Sequence, residues 1–193
     1  PSIPLHTEKD ILLQTIDKAR SGSQVAFSQL LDAYWQEVYH FQLGRTQNEN
    51  DAEDIAIQTF ARAFDKLDTY DPTYAFNTWL ITISKNLHID LLRKRKRNIL
   101  EGTDNSHSDA VKRVLDDAPT AEDQLIIEQD LKTLLQYIRK LKPGYRSVIE
   151  LRFFQEMSYA EIASALDEPI GNVKVRLLRA KKLLAGLIAR DKG

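Results

Sequence analysis

The sequence predicts an all-α protein of two small helical domains joined by a flexible acidic linker. Apolar residues recur at helical spacings of three and four along most of the chain, and no segment shows the alternation that is typical of β-strands. The periodicity fades over residues 98–121, where glycine, serine, asparagine and aspartate accumulate. We therefore assign residues 1–97 to a first domain, 98–121 to the linker and 122–193 to a second domain.

The distribution of charge supports this division and indicates a polyanionic partner. The net charge of the 193-residue chain is only −1, but its sign is unevenly distributed. Residues 85–97 carry six basic residues against Asp90, and residues 170–193 carry seven against Asp191. Between them, residues 98–123 carry seven acidic residues against two basic ones. Two cationic helical segments joined by an anionic connector suit two separate contacts with nucleic acid.

The composition limits the protein class and its compartment. With 42% hydrophobic and 28% charged residues, the chain is predicted to be globular rather than disordered. It has no cysteine, which excludes disulfides and thiolate catalysis and fits a reducing cytoplasm. No apolar run approaches the ~20 residues that cross a bilayer, and the first ten residues lack the pattern of a signal peptide. We therefore expect a cytoplasmic protein without membrane insertion.

Two helices are predicted before residue 50. Residues 7–10, Thr-Glu-Lys-Asp, are typical of a capping box that starts the first helix. Gly22 can end this helix, and Ser23 can cap the next one. The second helix carries an apolar stripe at spacings of three and four, formed by Phe27, Leu30, Leu31, Tyr34 and Val38.

A third helix is predicted to open at Asn50 or Asp51. Its first turn holds Asp51, Glu53 and Asp54, which compensate the positive end of the helix dipole. Asp54 and Gln58 also project together at i and i+4, leaving a polar patch on an otherwise amphipathic helix. The patch is either solvated surface or a binding site.

A helix breaker separates the third predicted helix from a basic one. Residues 70–73, Tyr-Asp-Pro-Thr, form the breaker, and the helix resumes near Asn77 or Thr78 and runs to Arg97. Aromatic residues cluster at the break, namely Tyr70, Tyr74, Phe76 and Trp79. Such residues either pack in the core or stack on unpaired bases, which contributes ~1–3 kcal/mol per base. Polar and basic residues on the helix can then follow the phosphates of that strand, unless they form only a solvated helix end; they are Lys85, Asn86, Arg93 and Lys94.

Further helices are predicted before residue 155. A short helix is predicted inside the linker at residues 110–115, and a longer one over residues 121–141. Pro143 and Gly144 break the longer helix, and another covers residues 145–154.

The last part of the chain has the pattern of a helix-turn-helix. Residues 158–161, Ser-Tyr-Ala-Glu, form a capping box that opens a short helix. A tight turn at residues 167–169 precedes a long helix that begins at Ile170. The core stripe of the long helix is predicted to continue through Val173, Leu177, Ala180 and Leu184.

The outer face of the long helix carries side chains that can read duplex DNA. Arginine grips guanine edges, asparagine reads adenine and valine touches the thymine methyl. The candidates are Asn172, Lys174, Val175, Arg176 and Arg179. Lys181 and Lys182 suit phosphates, which contribute affinity without sequence information. The alternative is an ordinary helical hairpin with a solvated charged face.

Taken together, these segments resemble the sigma-70 superfamily of bacterial RNA polymerase sigma factors, specifically its two-domain extracytoplasmic-function (ECF) group. The resemblance covers residues 16–187. Its most specific property is the order and spacing of short strings: Ala26-Phe27 with Leu31 and Tyr34, Asp51 to Phe60, Phe76 to Leu80, Asn86 to Arg93, Ser158 to Ala163, and Val173 to Leu177.

The resemblance implies a fold and a function for each domain. The first domain would be a sigma region 2 helical bundle, and the second a sigma region 4 helix-turn-helix. The chain would bind the beta and beta-prime subunits of core RNA polymerase and promoter DNA, and an anti-sigma factor would regulate it. The acidic linker would thread toward the polymerase active-centre and RNA-exit path.

The resemblance also assigns the candidate residues to three contacts. The contacts with the polymerase clamp helices would come from Asp51, Glu53, Asp54 and Gln58. The loop of residues 69–78 would capture a flipped base of the −10 element, and the −10 contacts would come from Tyr74, Phe76, Asn77, Lys85, Asn86, Arg93 and Lys94. The −35 element would be read by Asn172, Lys174, Val175, Arg176 and Arg179.

Two departures from the family pattern lie in the second domain. The turn commonly has a glycine followed by an apolar residue, and here Asp167 and Glu168 occupy those positions. Aspartate tolerates the left-handed conformation that such a turn requires. Asn172 and Val175 stand where small hydroxyl residues are frequent, which leaves the −35 sequence open.

Two other classes of function compete with this interpretation. A stand-alone helix-turn-helix regulator explains the last helices equally well, but not the acidic patch or the aromatic loop. For an enzyme, the sequence has no Gly-rich phosphate loop or nucleophile motif. Its four histidines, His6, His40, His88 and His107, are scattered and lack metal-ligand spacing. We therefore expect no catalysis, no metal site and no cofactor.

Overall fold

The computed structural model describes residues 8–101 and 120–193, and these residues form helices and turns without β-strands. The chain divides into two compact units, Pro1–Val114 and Leu115–Gly193. The all-α prediction is confirmed. The division between the units falls inside the segment that the sequence assigns to the linker.

Within residues 8–101, the first unit consists of four α-helices and one 3-10 turn. They are α1 (Glu8–Arg20), α2 (Gln24–Thr46), α3 (Glu49–Asp65), a 3-10 helix (Leu67–Thr69) and α4 (Phe76–Glu101). Between α1 and α2, Gly22 adopts a positive φ of 90°, and the Ser23 hydroxyl accepts a hydrogen bond from the Ala26 amide. Both residues therefore act as the sequence predicts.

The core of the first unit lies where α2 packs against α1, α3 and α4. Its fully buried side chains include Leu30, Leu31, Ile55, Phe60 and Leu80. One polar pair crosses this core: the Gln42 amide nitrogen donates to the Ser84 hydroxyl at 2.8 Å, and that hydroxyl donates to the Ile81 carbonyl. The pair joins α2 to α4, the helix that carries the basic residues 93–97.

Two helix boundaries in the first unit differ from the prediction. α3 begins at Glu49 because the Asn48 side chain accepts a hydrogen bond from the Asp51 amide at 3.0 Å and acts as the N-cap. α4 begins at Phe76 and continues to Glu101, four residues beyond the predicted end at Arg97. The helical part of the first unit therefore extends into the segment predicted as linker.

Residues 120–193 of the second unit form five helices around one hydrophobic cluster. They are α5 (Ala121–Ile127), α6 (Leu131–Arg139), α7 (Pro143–Phe153), α8 (Tyr159–Leu166) and α9 (Ile170–Asp191). α9 contacts the other four helices. The cluster buries the predicted stripe of Val173, Leu177, Ala180 and Leu184.

The single helix predicted over residues 121–141 is wrong. The Asp130 carboxylate accepts a hydrogen bond from the Thr133 amide at 3.0 Å, which caps a new helix and divides the segment into α5 and α6. Pro143 is the first residue of α7, a position where its missing N–H costs nothing. Thr7 and the short helix predicted at residues 110–115 lie outside the described residues.

Candidate nucleic-acid interface

In the first unit, the basic and polar candidates of α4 are exposed. Lys85, Asn86 and Lys94 are exposed, and the Arg93 side chain is 73% accessible. The Lys85 ammonium lies 5.5 Å from the centre of the Phe41 ring, and the Arg93 guanidinium is 3.8 Å from the Asp90 carboxylate. One helix therefore presents these side chains to solvent, where they can adapt to a flexible polyanion.

The loop before α4 is anchored from two sides. From α1, the Arg20 guanidinium donates to the carbonyl of Leu67 and to that of Tyr70, each at 3.2 Å. The Tyr70 hydroxyl donates to the Tyr74 carbonyl at 2.7 Å. Burial raises the pKa of Tyr70, and the neighbouring Asp71 raises it further. Tyr74 therefore stands 66% exposed on a fixed backbone, as a base-stacking residue requires.

Local hydrogen bonds hold the two ends of this loop. The Asp71 carboxylate accepts from the hydroxyl and the amide of Thr73, and these bonds lower the pKa of Asp71. At the start of α4, the Asn77 amide nitrogen donates to the Glu37 carboxylate at 2.9 Å, while its oxygen accepts from the Thr78 amide. Asn77 is half-buried, so its orientation is set by α2 as well as by its own helix.

The predicted DNA contact of Phe76 is wrong. Phe76 is only 2% exposed, and the centre of its ring lies 5.1 Å from those of Tyr34 and Tyr70 and 5.6 Å from that of Trp79. The apolar ring contributes more as part of this aromatic core than as an exposed group. The Phe76 ring packs against Tyr70 at the start of the loop and helps to hold the loop in place.

His88, which lies within the basic segment of residues 85–97, is not a surface residue. His88 is buried, and its Nδ1 accepts a hydrogen bond from Arg45 of α2 at 3.4 Å. The side chain of His88 therefore joins two helices of the first unit.

The acidic patch of α3 consists of the polymerase-contact candidates Asp51, Glu53, Asp54 and Gln58. A basic residue of α4 engages part of it. Asp54 is exposed, whereas Asp51, Glu53 and Gln58 are half-buried. The two carboxylate oxygens of Asp51 accept from the guanidinium of Arg95 at 2.7 and 2.9 Å. The hydrogen bond and the charge of Asp51 raise the pKa of Arg95. These partners are 44 residues apart, so no local pattern in the sequence reveals the pair.

The helix-turn-helix predicted in the second unit is confirmed. The Ser158 hydroxyl accepts from the Glu161 amide at 3.2 Å, and the Glu161 carboxylate accepts from the Ser158 amide at 2.7 Å. The second bond lowers the pKa of Glu161. After α8, Asp167 adopts the left-handed conformation with φ 52°, so it takes the place of the usual glycine.

The candidate residues of α9 are less exposed than those of α4. Asn172, Lys174, Arg176 and Arg179 are half-buried. Val175 is 1% exposed, so the prediction that it meets a thymine methyl on the outer face is wrong. α9 contacts four helices, its buried residues are not confined to one stripe, and an apolar side chain gains from such burial.

Lys181, predicted to meet phosphates, instead forms a buried ion pair. Lys181 is 5% exposed, and its ammonium lies 3.0 Å from the Asp123 carboxylate of α5. Burial alone would raise the pKa of Asp123. The Thr120 amide and hydroxyl and the Lys181 charge outweigh burial and lower it. The pair ties the first helix of the unit to the last one.

Sequence reasoning missed a cationic cluster around Tyr159. The Arg152 guanidinium lies 4.8 Å from the centre of the Tyr159 ring, and the Lys174 ammonium lies 5.9 Å from it. Arg152 also donates to the Met157 carbonyl at 3.0 Å. Arg152 of α7 and Lys174 of α9 therefore lie against one aromatic ring of α8. Two cations placed together in this way can bind a phosphate of a nucleic-acid backbone.

The turn of the helix-turn-helix contributes a second ion pair. The Arg176 guanidinium donates to the Glu168 carboxylate at 2.5 Å. Glu168, which stands where the family pattern has an apolar residue, is half-buried against α9. The turn is therefore tied to the helix that carries the DNA-reading candidates.

Within residues 8–101 and 120–193, no group of three histidine, cysteine or acidic residues could hold a metal ion. Across the same residues, no helix combines the length and apolar character needed to cross a bilayer.

The two units match two parts of one protein family. The family model "Sigma-70 region 2" matches residues 30–98, and "Sigma-70, region 4" matches residues 131–184. One match lies in each unit, in the order that the sequence predicts.

Curated relatives match nearly the whole chain. The ECF RNA polymerase sigma factor SigW of Bacillus subtilis is 32% identical, over 90% of this chain and 95% of its own. The RNA polymerase sigma factor CnrH of Cupriavidus metallidurans is also 32% identical, over 90% and 92%.

Two solved structures also match the chain. A structure of the RsbN–BldN complex matches with 26% identity, over 89% of this chain and 98% of that one, at a TM-score of 0.40. A structure of CnrH with the cytosolic domain of CnrY matches with 28% identity, over 92% and 96%, at a TM-score of 0.36.

Proposed function

This chain belongs to the sigma-70 family, in its ECF group, and we propose that it directs core RNA polymerase to promoters through two DNA contacts. The observation that carries the proposal is that regions 2 and 4 match separate units, and each unit presents basic side chains. The chain itself catalyses nothing in this role, because bond formation belongs to the polymerase. It acts in the cytoplasm, with the chromosome.

The first unit is proposed to hold the −10 element once its strands separate. Tyr74 is the base-stacking candidate, because it is exposed and the backbone beneath it is anchored. Asn77 borders the same loop and offers polar groups to an unpaired base. Contacts with the phosphates come from Lys85, Asn86, Arg93 and Lys94, all exposed on α4.

The second unit is proposed to dock on the duplex −35 element. α9 enters the major groove, with Asn172, Arg176 and Arg179 as candidates for reading base edges. Lys174 acts with Arg152 and Tyr159 as a contact to the phosphate backbone, because both cations lie on the Tyr159 ring.

Binding of the beta and beta-prime subunits of core polymerase is proposed to use the acidic patch of α3. Asp54 is its most accessible carboxylate, with Gln58 one turn further along the helix. Asp51 and Glu53 extend the patch, although Asp51 is already paired with Arg95. An anti-sigma factor is a further proposed partner, in keeping with the family resemblance.

The deciding experiment is run-off transcription on genomic fragments with the source organism's core polymerase, followed by mapping of start sites. We expect specific initiation only when both chain and core enzyme are present. Duplex binding of equal specificity without core polymerase, and no initiation with it, would instead establish a stand-alone regulator.

Single substitutions test the proposed division of labour. Arg176→Ala should weaken upstream recognition and leave affinity for core polymerase unchanged. Asp54→Ala should weaken affinity for core polymerase and leave upstream recognition unchanged. Equal loss of both activities in either variant would contradict the assignment.

A further inference from the structure

We infer that Glu168 is a specificity-determining positioning residue, which holds Arg176 so that its guanidinium reads a base pair of the upstream duplex instead of a phosphate. The inference rests on the proposed function of α9. It concerns a position where this chain departs from the pattern of the family it resembles, so the pattern itself does not supply the role.

The geometry places Glu168 where it can control Arg176. The left-handed Asp167 reverses the chain after α8, and the Glu168 amide donates to the Ala163 carbonyl at 3.0 Å. The backbone of Glu168 is thus fixed before α9 begins. Its carboxylate reaches across to Arg176, with side chains only 25% and 13% accessible. An arginine held at this depth cannot sample the positions open to a surface arginine.

The charge of Glu168 has a second consequence for DNA binding. A carboxylate beside the DNA-reading helix repels phosphates and offsets part of the attraction of Arg176 for the backbone. A purely stabilising turn residue would not need a charge here, because an apolar side chain would pack equally well without a desolvation cost. The acid therefore lowers sequence-independent affinity while it fixes the arginine that carries sequence information.

The pairing also leaves one carboxylate oxygen without a visible role. Oε2 of Glu168 is buried and accepts no hydrogen bond from the described residues. A carboxylate that only stabilised the turn would be expected to use both oxygens. The carboxylate therefore engages Arg176 through Oε1 alone.

The experiment uses the full chain assembled with core polymerase and a promoter mapped by run-off transcription. Each base pair of its upstream element is changed singly, and open-complex formation is measured for every duplex. The proteins are the wild type, Glu168→Ala, Arg176→Ala and the double variant. Glu150→Ala, which removes an exposed acid of α7, controls for the general loss of negative charge.

We expect Arg176→Ala to abolish discrimination at one or two base pairs. Glu168→Ala should reduce discrimination at those same positions roughly tenfold, within the range of one bidentate base contact. The double variant should match Arg176→Ala alone. Glu150→Ala should raise affinity for all duplexes slightly and leave the discrimination profile unchanged.

Three results would overturn the inference. They are an unchanged profile in Glu168→Ala, a uniform loss at every position, and additive losses in the double variant. If Glu168→Ala does not fold by circular dichroism, Glu168→Gln keeps the shape of the side chain, removes its charge and takes its place. Failure of the wild-type chain to initiate with core polymerase would instead refute the proposed function, so the two failures are distinguishable.

Discussion

The two units present their basic residues in opposite ways. On α4, the cations proposed to contact DNA are exposed. On α9, the corresponding cations are half-buried, and two basic residues are held by acids, Arg176 by Glu168 and Lys181 by Asp123. The first surface can adapt, whereas the second is fixed before any ligand arrives.

This difference matches the two states of DNA that the units are proposed to bind. A separated strand is flexible, so long exposed side chains can follow its phosphates while Tyr74 stacks on one base. A duplex presents base edges in a fixed geometry, so preorganised side chains lose less entropy on binding. Substitutions in either unit test this contrast.

The aromatic loop offers the sharpest test, because two neighbouring aromatics should behave oppositely. Phe76→Ala should destabilise the first unit by about 3–5 kcal/mol, since it empties a buried aromatic site. Tyr74→Ala should change stability by less than about 0.5 kcal/mol yet impair promoter melting. Urea unfolding and permanganate footprinting measure the two effects. Equal stability losses would show that Tyr74 is also structural.

The buried ion pair of the second unit should matter for folding rather than for DNA. Lys181→Met should cost on the order of 3 kcal/mol, because it leaves the Asp123 carboxylate buried without its cation. Lys182→Met, at the half-buried neighbouring position, is the matched control and should cost far less. Denaturant unfolding measures both. A stable Lys181→Met variant with weakened duplex affinity would restore Lys181 as a phosphate contact.

Salt dependence should separate phosphate contacts from base readout. Replacing both Arg93 and Lys94 by glutamine should reduce the slope of log affinity against log salt by about 2, because each phosphate contact contributes about 1. The double substitution should weaken binding by roughly the same factor for every DNA sequence. Glu168→Gln should alter sequence discrimination instead. Holoenzyme binding to promoter DNA between 50 and 200 mM salt, about the range over which such slopes are read, provides the measurement.

Acid pH should affect the second unit through Asp123. Because the folded-state pKa of Asp123 lies below the ordinary value of 3.8, its contribution to stability is present above pH 3.8 and is lost as pH falls through the folded pKa. The variant Asp123→Asn should be less stable at neutral pH and should lose less stability on acidification. Unfolding between pH 6 and pH 3, about the range where carboxylates titrate, tests this expectation. Parallel pH profiles for the variant and the wild type would contradict it.

The smallest effect is expected for the surface pair of the first unit. Arg95→Gln should change stability by at most about 1 kcal/mol, since exposed ion pairs contribute little. It should also release Asp51, so affinity for core polymerase should rise if Asp51 is a contact. Pull-down at two salt concentrations measures that affinity. An unchanged affinity would remove Asp51 from the proposed polymerase surface.

Local patterns predicted the fold better than they predicted the sites. The capping box of residues 158–161, the Ser23 cap and the α9 stripe were readable because each depends on residues within one or two turns. The same reasoning failed at Phe76 and Val175. A helical pattern shows which residues can share a face, but it does not show whether another helix covers that face.

Short-range patterns in the sequence were enough to predict the all-α class, the two-unit division, the helix-turn-helix and the placement of positive charge at two segments. These properties follow from short-range spacing, capping and composition. Which cations face solvent and which are engaged depends instead on packing between helices. The partners Arg95–Asp51 and Lys181–Asp123 are separated by 44 and 58 residues, and only folding brings such residues together. Even Glu168 and Arg176, eight residues apart, meet only because a left-handed residue turns the chain back onto α9.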